Sequence, residues 1–120
     1  VAAEDMLPKL VSDATRRKKP EVVVQLRTMI ASNAPETIAG AITALMTRPD
    51  ATPLLREIHC PTLIIVGDQD ALTPLHFSQD MHGGIRGSEL VVIEDAGHMS
   101  NMEQPDDFNA AVLRFLDRSV

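Results

Sequence analysis

The sequence contains one cysteine, no tryptophan, no tyrosine and three phenylalanines. A single thiol cannot form an internal disulfide, so this composition indicates a reducing compartment and predicts a cytoplasmic location. The cysteine, Cys60, lies immediately before Pro61 at the start of an apolar run. That position predicts a small buried side chain rather than a nucleophile.

Long apolar runs and an excess of basic residues are also absent. The longest uninterrupted runs, such as residues 63–66 and 90–93, are far shorter than the roughly 20 residues that cross a bilayer. No leading charged segment followed by an apolar one is visible, so no targeting signal and no membrane association are expected. The formal net charge of −6 argues against nucleic acid as a partner, because phosphate binding requires a basic surface.

The first half of the chain has a helical pattern. Residues 21–32 and 36–47 place apolar side chains at helical spacing, and each segment follows a proline that suits a first helical position. A weaker pattern predicts a helix over residues 4–18, and Thr52 is expected to cap a short turn. The predicted apolar faces consist of Val22, Val23, Leu26, Met29 and Ile30 in the first segment and Ile38, Ala41, Ile42 and Leu45 in the second.

The second half alternates strands with helices. Residues 62–66 and 90–94 are β-branched and leucine-rich runs, which predicts two strands. A helix is predicted from Thr73 to about Gly83, and a last helix is predicted after Pro105. Continuous apolar strands joined through a helix are typical of parallel sheets, so the sequence predicts an α/β fold with two parallel strands and flanking helices. The last helix is expected to face the core with Phe108, Ala111, Val112, Phe115 and Leu116.

A sheet of two parallel strands cannot bury itself, because its outer edges leave backbone groups unpaired. The chain is therefore expected either to form a homo-oligomer or to be part of a larger fold. Residues 47–53, TRPDATP, predict a boundary between a helical segment over 1–52 and a strand-containing segment over 53–120.

Polar side chains follow each predicted strand. Asp68 and Asp70 come after the first strand, and Asp95 and His98 come after the second. The carboxyl ends of neighbouring parallel strands meet at one edge of a sheet, so the two loops are expected to lie together. An imidazole whose Nδ1–H is held by a carboxylate is the base of a nucleophilic triad. Asp70 and His98 are therefore the candidate catalytic residues, and no cofactor or metal is expected.

Two longer motifs carry a family resemblance. PTLIIVGDQDALTP, residues 61–74, followed by ELVVIEDAGHMSNMEQPDDF, residues 89–108, resembles the C-terminal part of an α/β-hydrolase, whose chain order is nucleophile, acid, histidine. The resemblance implies that Asp70 is the acid and His98 the histidine of a Ser-His-Asp triad. It also implies a cap-like role for residues 1–52. The stretch from 46 to 70 is similar to 3-oxoadipate enol-lactonase- and carboxylesterase-like members, which implies a small-molecule ester or lactone substrate.

The family's nucleophile elbow, G-x-S-x-G, does not occur in these 120 residues, and the H-G stretch that supplies an oxyanion donor is also absent. Ser78 and Ser100 do not lie between glycines at that spacing. Ser100, two residues after His98, is not expected to attack with that base. The sequence therefore predicts half of a catalytic site, inactive alone, whose nucleophile-bearing N-terminal half is missing, separate or swapped.

Two other functions fit parts of the pattern. The missing elbow and the open sheet are also consistent with a non-catalytic domain that self-associates, for example as a dimer, through its sheet edge. In addition, IIVGDQDALT is similar to the D-x-D strand end of the haloacid-dehalogenase phosphatases. That family needs a lysine downstream of the aspartates, whereas Lys9, Lys18 and Lys19 are the only lysines and all lie upstream.

Structural roles are the alternative for the individual polar residues. Asp70 could cap the following helix, and Asp68 and Asp95 are expected to serve turns. A metal site built from these three aspartates and His98 is conceivable, although the triad explains their spacing better. Surface or capping roles are expected for the other histidines, His59, His76 and His82. Met99 and Met102 are expected to pack in the core or in a pocket wall.

Overall fold

The computed structural model describes residues 2–119 and, for side chains, residues 3–119. Four helices come first, then a short 3₁₀ helix, and the remainder alternates strands with helices. The elements are α1 Ala2–Leu10, α2 Asp13–Lys18, α3 Pro20–Ala31, α4 Pro35–Thr47, the 3₁₀ helix Thr52–Glu57, β1 Leu63–Gly67, α5 Leu75–Gly84, β2 Glu89–Ile93, α6 Ser100–Glu103 and α7 Pro105–Ser119.

The two strands form the predicted parallel pair. Their register runs from Leu63 opposite Glu89 to Gly67 opposite Ile93, so both strands end at the same edge. Helices α5 and α7 each contact both strands. The predicted order of strand, helix, strand and helix is confirmed, and it places the loops after β1 and β2 next to each other.

The main apolar cluster lies between the N-terminal helices rather than around the sheet. Helix α1 packs on α3, and α2 also packs on α3. Met99 and Met102, from the segment after β2, pack against this cluster, as predicted for core methionines. The helical first part of the chain is therefore attached directly to the segment that carries His98. The buried members of this apolar cluster are Ala3, Leu7, Leu10, Val11, Val22 and Leu26.

The helix predicted over residues 4–18 is two helices. The break falls at Val11 and Ser12, both buried, because the Ser12 hydroxyl accepts a hydrogen bond from the Thr15 amide at 3.1 Å and starts a new helix there. The corner from Leu10 to Ser12 is called the α1–α2 corner below.

Three smaller predictions were wrong. Helix α4 has no buried residue; of its predicted apolar face only Ile38 is partly covered, and Ala41, Ile42 and Leu45 are exposed. Cys60 is exposed, because it lies in the connection before β1 rather than in the strand. Thr52 does not cap the 3₁₀ helix; its amide and hydroxyl instead donate to Asp50 at 2.9 and 2.6 Å.

The last helix follows its predicted stripe only in part. Ala111 is buried and Phe108, Val112 and Phe115 are partly buried, whereas Leu116 is exposed. The division into segments 1–52 and 53–120 stays a prediction. Between Ala2 and Ser119, no helix has both the length and the apolar character that crossing a membrane requires.

Candidate functional site

The loop after β1 is folded around the carboxylate of Asp70. Its Oδ1 accepts hydrogen bonds from the amides of Leu72 at 3.0 Å and Thr73 at 2.8 Å. Its Oδ2 accepts one from the Thr73 hydroxyl at 3.0 Å. The sequence also allowed Asp70 to be a helix cap. Asp70 instead caps the turn of residues 70–73, because α5 begins only at Leu75. One lone-pair direction of Oδ2 is left for a further donor.

That further donor is His98. Nδ1 of His98 lies 3.0 Å from Oδ2 of Asp70 and 3.2 Å from the Thr73 hydroxyl oxygen. A carboxylate only accepts hydrogen bonds, so Nδ1 carries the proton and donates a hydrogen bond to Asp70. In the neutral ring Nε2 then holds a lone pair. Every hydrogen bond of the ring found within residues 2–119 is made by Nδ1, so Nε2 points to no acceptor or donor there.

Backbone pairing continues past the strands and holds the two loops together. The Asp68 amide donates to the Ile93 carbonyl at 2.9 Å, and the Gln69 amide donates to the Ala96 carbonyl at 2.8 Å. The Asp68 carboxylate accepts weakly from the Ala96 amide at 3.4 Å. Asp68 thus serves the loop, as predicted, and the separation between Asp70 and His98 is set by main-chain hydrogen bonds.

Burial differs sharply between the two partners. The Asp70 side chain is 5% exposed and the His98 side chain is 34% exposed. Burial raises the pKa of the Asp70 carboxyl, but hydrogen bonds from the Thr73 amide, from His98 and from the Thr73 hydroxyl outweigh it, and the net pKa is lowered. Asp70 is therefore ionised at neutral pH, while the ring beside it is open to an approaching group.

Two glycines allow the close backbone approach that this site needs. A Cβ on Gly67, the last residue of β1, would lie 2.3 Å from the carbonyl oxygens of Ala96 and Gly97. A Cβ on Gly97 would lie 2.9 Å from the amide nitrogen of Ser12 in the α1–α2 corner. Real Cβ atoms cannot come so close to backbone, so only glycine fits at either position. The glycine before His98 in the sequence motif therefore has a steric cause.

Sequence reasoning missed the buried carboxylate of Glu103. It is 0% exposed and accepts from the amides of Gly97 at 2.9 Å and Met99 at 3.1 Å, which flank His98. The role of Thr73 beside Nδ1 was missed as well. Only the position of Glu103 in the E-x-P motif pointed to it, since its other partners lie almost a whole chain length away in the sequence.

The remaining candidates have ordinary roles. Asp95 is in a turn, with a positive φ of 55°, a conformation that aspartate tolerates better than most residues. Ser100 is buried at the start of α6. His82 Nδ1 bonds to the Ser88 hydroxyl at 2.8 Å. Across the described part of the chain, no three histidine, cysteine, aspartate or glutamate side chains are grouped so as to hold a metal ion, so the aspartates and His98 do not form the alternative metal site.

Curated hydrolases are similar to part of this chain. The 2-hydroxy-6-oxononadienedioate/2-hydroxy-6-oxononatrienedioate hydrolase of Klebsiella pneumoniae is 44% identical over 71 residues, which are 59% of this chain and 25% of that enzyme. The enzyme of the same name from Escherichia coli K12 is 43% identical over 70 residues, which are 58% of this chain and 24% of the relative. The matched region thus spans about a quarter of the length of these relatives.

Solved structures match almost the whole chain. A thermophilic esterase from Thermogutta terrifontis is 42% identical, with a TM-score of 0.94 over 98% of this chain and 43% of the esterase. The enol-lactonase from Burkholderia xenovorans LB400 is 27% identical, with a TM-score of 0.89 over 97% of this chain and 44% of the lactonase. The chain thus spans less than half the length of these proteins, and the predicted α/β-hydrolase resemblance is confirmed.

The sequence model of the Ndr family matches residues 1–118. Because this match covers nearly the whole chain and the structural neighbours share its fold, the chain belongs to the Ndr family and has the fold of the C-terminal portion of an α/β-hydrolase.

Proposed function

We propose that this chain supplies the acid and the histidine of a Ser-His-Asp triad in an α/β-hydrolase that cleaves a small-molecule ester or lactone. The observation that carries the proposal is the 3.0 Å contact between Asp70 Oδ2 and His98 Nδ1. In such triads a carboxylate orients the histidine that acts as the base. The buried Asp70 and the more exposed His98 ring have this arrangement. The names of the similar esterase and enol-lactonase support the substrate class.

The chemistry follows from the tautomer. With its proton on Nδ1, neutral His98 has a lone pair on Nε2 that removes a proton from an attacking serine hydroxyl. The ring becomes a cation as it does so, and the ionised Asp70 carboxylate at 3.0 Å stabilises that cation. The same Nε2–H then protonates the leaving alkoxide. Asp70 stays ionised throughout and keeps the ring in one orientation.

The nucleophile and the oxyanion donors come from a segment outside these 120 residues, since no G-x-S-x-G occurs among them. The strands that carry that segment pair with an open edge of the β1–β2 sheet, because the unpaired backbone groups of an edge strand hydrogen-bond to a further strand. The complete active enzyme is therefore this chain joined to a nucleophile-bearing portion of the fold.

A chimera tests this function. Residues 1–120 replace the corresponding part of the Thermogutta terrifontis esterase, whose fold they match with a TM-score of 0.94. The folded chimera is expected to hydrolyse p-nitrophenyl acetate and to react with a fluorophosphonate probe. Asp70→Asn and His98→Ala should each lower kcat by roughly 10³–10⁴-fold, while substitution of an exposed histidine in the first turn of α5, His76→Ala, should leave it unchanged.

Two results would contradict the proposal. The first is a folded chimera whose hydrolysis and labelling are the same with and without the His98 imidazole. The second is a stoichiometric fluorophosphonate adduct on the 120-residue chain alone, because that would place an activated nucleophile, such as Ser100, within this chain. Intact mass spectrometry of the unmodified chain beside its His98→Ala variant measures the second directly.

One observation favours a second candidate function, self-association without catalysis. The sheet has two strands in the described residues, and Val92, the fourth of the five residues of β2, is exposed. A second copy pairing along this edge would satisfy its unpaired backbone groups. The solution mass at about 100 µM, measured by light scattering after gel filtration, tests it. A compact monomer with one cooperative thermal transition counts against it.

A further inference from the structure

The Glu103 carboxylate is completely buried and has four donors around it. Oε1 accepts from the Ser12 amide at 2.7 Å and the Thr15 hydroxyl at 2.9 Å. Oε2 accepts from the amides of Gly97 at 2.9 Å and Met99 at 3.1 Å. All four partners donate, so the group is held as an acceptor on both oxygens, and a protonated or amide side chain would lose at least one of these contacts.

The two oxygens serve different parts of the chain. Oε1 binds the α1–α2 corner and the first turn of α2, whereas Oε2 binds the amides on either side of His98. The Met99 amide also donates to the Leu10 carbonyl at 3.1 Å, which ties the same loop to the same corner. One side chain thus joins the backbone before and after His98 to the α1–α2 corner.

This arrangement complements the Asp70 contact. Asp70 holds the imidazole ring through Nδ1, but a ring is oriented only if its Cα is also fixed. The Cα of His98 lies between the two amides that Glu103 holds. The Lys19 ammonium donates to the backbone carbonyl of Glu103, so the start of α3 also holds Glu103 in place. One carboxylate therefore holds the ring of His98, and another holds the amides of the residues on either side of it.

A purely space-filling role does not account for the geometry. An apolar side chain of similar size would leave the Ser12 and Gly97 amides buried without an acceptor. Nor does a role in folding alone require that both amides flanking the histidine converge on one oxygen. We propose that Glu103 is a positioning residue for His98, which couples the orientation of its ring to the α1–α2 corner; this rests on the proposed function of His98.

The test compares two variants of the 120-residue chain by NMR. The His98 Nδ1–H that donates to Asp70 gives a strongly downfield proton resonance, which reports the ring orientation directly. In Glu103→Gln, the side-chain NH₂ faces two of the former donors. The resonance is expected to disappear, and exchange of the Gly97 amide is expected to accelerate at least tenfold. Both are measured well below the midpoint of thermal unfolding.

Thr15→Val is the matched control. It removes the hydroxyl bond to Oε1 and lowers stability, but it leaves Oε2 accepting from the two loop amides and Oε1 accepting from the Ser12 amide. The downfield resonance of His98 and the slow exchange of Gly97 are expected to remain. The proposal is overturned if Glu103→Gln keeps the resonance, or if Thr15→Val loses it to the same extent, because the effect would then follow general destabilisation.

If Glu103→Gln does not fold, exchange in the unmodified chain decides the matter. The Ser12 and Gly97 amides, 85 residues apart, are expected to open together with the same protection factor, since one carboxylate accepts both; unequal protection by tenfold or more overturns the proposal. These measurements need no nucleophile. A chimera that does not hydrolyse would count against the triad, whereas the difference in the resonance between the unmodified chain and Glu103→Gln bears on Glu103.

Discussion

Gly97 lies so close to Ser12 that a Cβ on the glycine would be 2.9 Å from the serine amide nitrogen. This contact joins the segment carrying the histidine to the α1–α2 corner at the level of the backbone. A loop fixed in this way cannot shift without moving a helix terminus. The orientation of His98 and the stability of the helical first half of the chain are therefore linked.

Gly97→Ala tests that link. The added methyl group must displace either the loop or the corner, so we expect the free energy of unfolding to fall by roughly 1–3 kcal/mol, the usual cost of overpacking. Urea unfolding followed by circular dichroism measures it. Gly40→Ala in α4 is the control, since a Cβ there meets nothing within 4 Å and alanine favours a helix. Equal stability of the two variants would show that the corner yields easily.

Thr73→Val separates the hydroxyl of Thr73 from its backbone. The valine keeps the shape of the side chain and the hydrogen bond from the residue 73 backbone amide to Asp70. It removes the hydroxyl that donates to Oδ2 at 3.0 Å. We expect a loss of about 1 kcal/mol in unfolding free energy. Thr43→Val removes a hydroxyl on the exposed face of α4, which bonds only a helix carbonyl, and should change stability by less. A smaller effect at 73 than at 43 would contradict the assigned geometry.

Asp70→Asn should change the acid dependence of stability. The pKa of Asp70 is lowered in the folded chain, against the effect of burial, by bonds from Thr73 and His98. The associated stabilisation is therefore complete above the unfolded-state value of about 3.9 and is lost as the pH falls through the folded-state pKa. Below about pH 5, the unfolding free energy of the Asn variant should fall less steeply with decreasing pH than that of the unmodified chain.

Urea unfolding between pH 3 and pH 7 measures these slopes. Asp50→Asn is the comparison, because the pKa of Asp50 is also lowered, first by the Thr52 hydroxyl and then by its amide, but at an exposed site. Solvent screens exposed interactions, so its substitution should alter the acid slope less. An unchanged slope in Asp70→Asn would mean that the carboxylate is not stabilised in the folded chain.

Two leucines on neighbouring helices should differ strongly in their contribution to stability. Leu26 in α3 is 3% exposed, whereas Leu45 in α4 is 60% exposed. Leu26→Ala is expected to lower the free energy of unfolding by about 2–5 kcal/mol because it leaves a cavity. Leu45→Ala should cost less than about 0.5 kcal/mol, as surface substitutions do. A large loss at Leu45 would show that α4 is covered in solution, for instance by a second copy.

The strand–helix–strand–helix half could be predicted from the sequence, and so could the juxtaposition of Asp70 and His98. Strand runs, glycines, prolines and the loop motifs are local signals, and parallel strands necessarily bring their carboxyl ends to one edge. The helix breaks were less accessible. The separation of α1 and α2 depends on a serine cap, which competes with continuation of the helix.

What the sequence by itself determined is the order of the strands and helices in the second half, the family resemblance and the pairing of Asp70 with His98, because each depends on local motifs and on the parallel order of two strands. Tertiary structure alone decided that α4 and Cys60 are exposed, that Thr73 shares the Asp70 carboxylate, and that Glu103 joins the His98 loop to Ser12. Those features depend on which distant surfaces meet, and the hydrogen bond from Ser12 to Glu103 spans 91 residues. No periodicity or local propensity contains information about a contact over that distance.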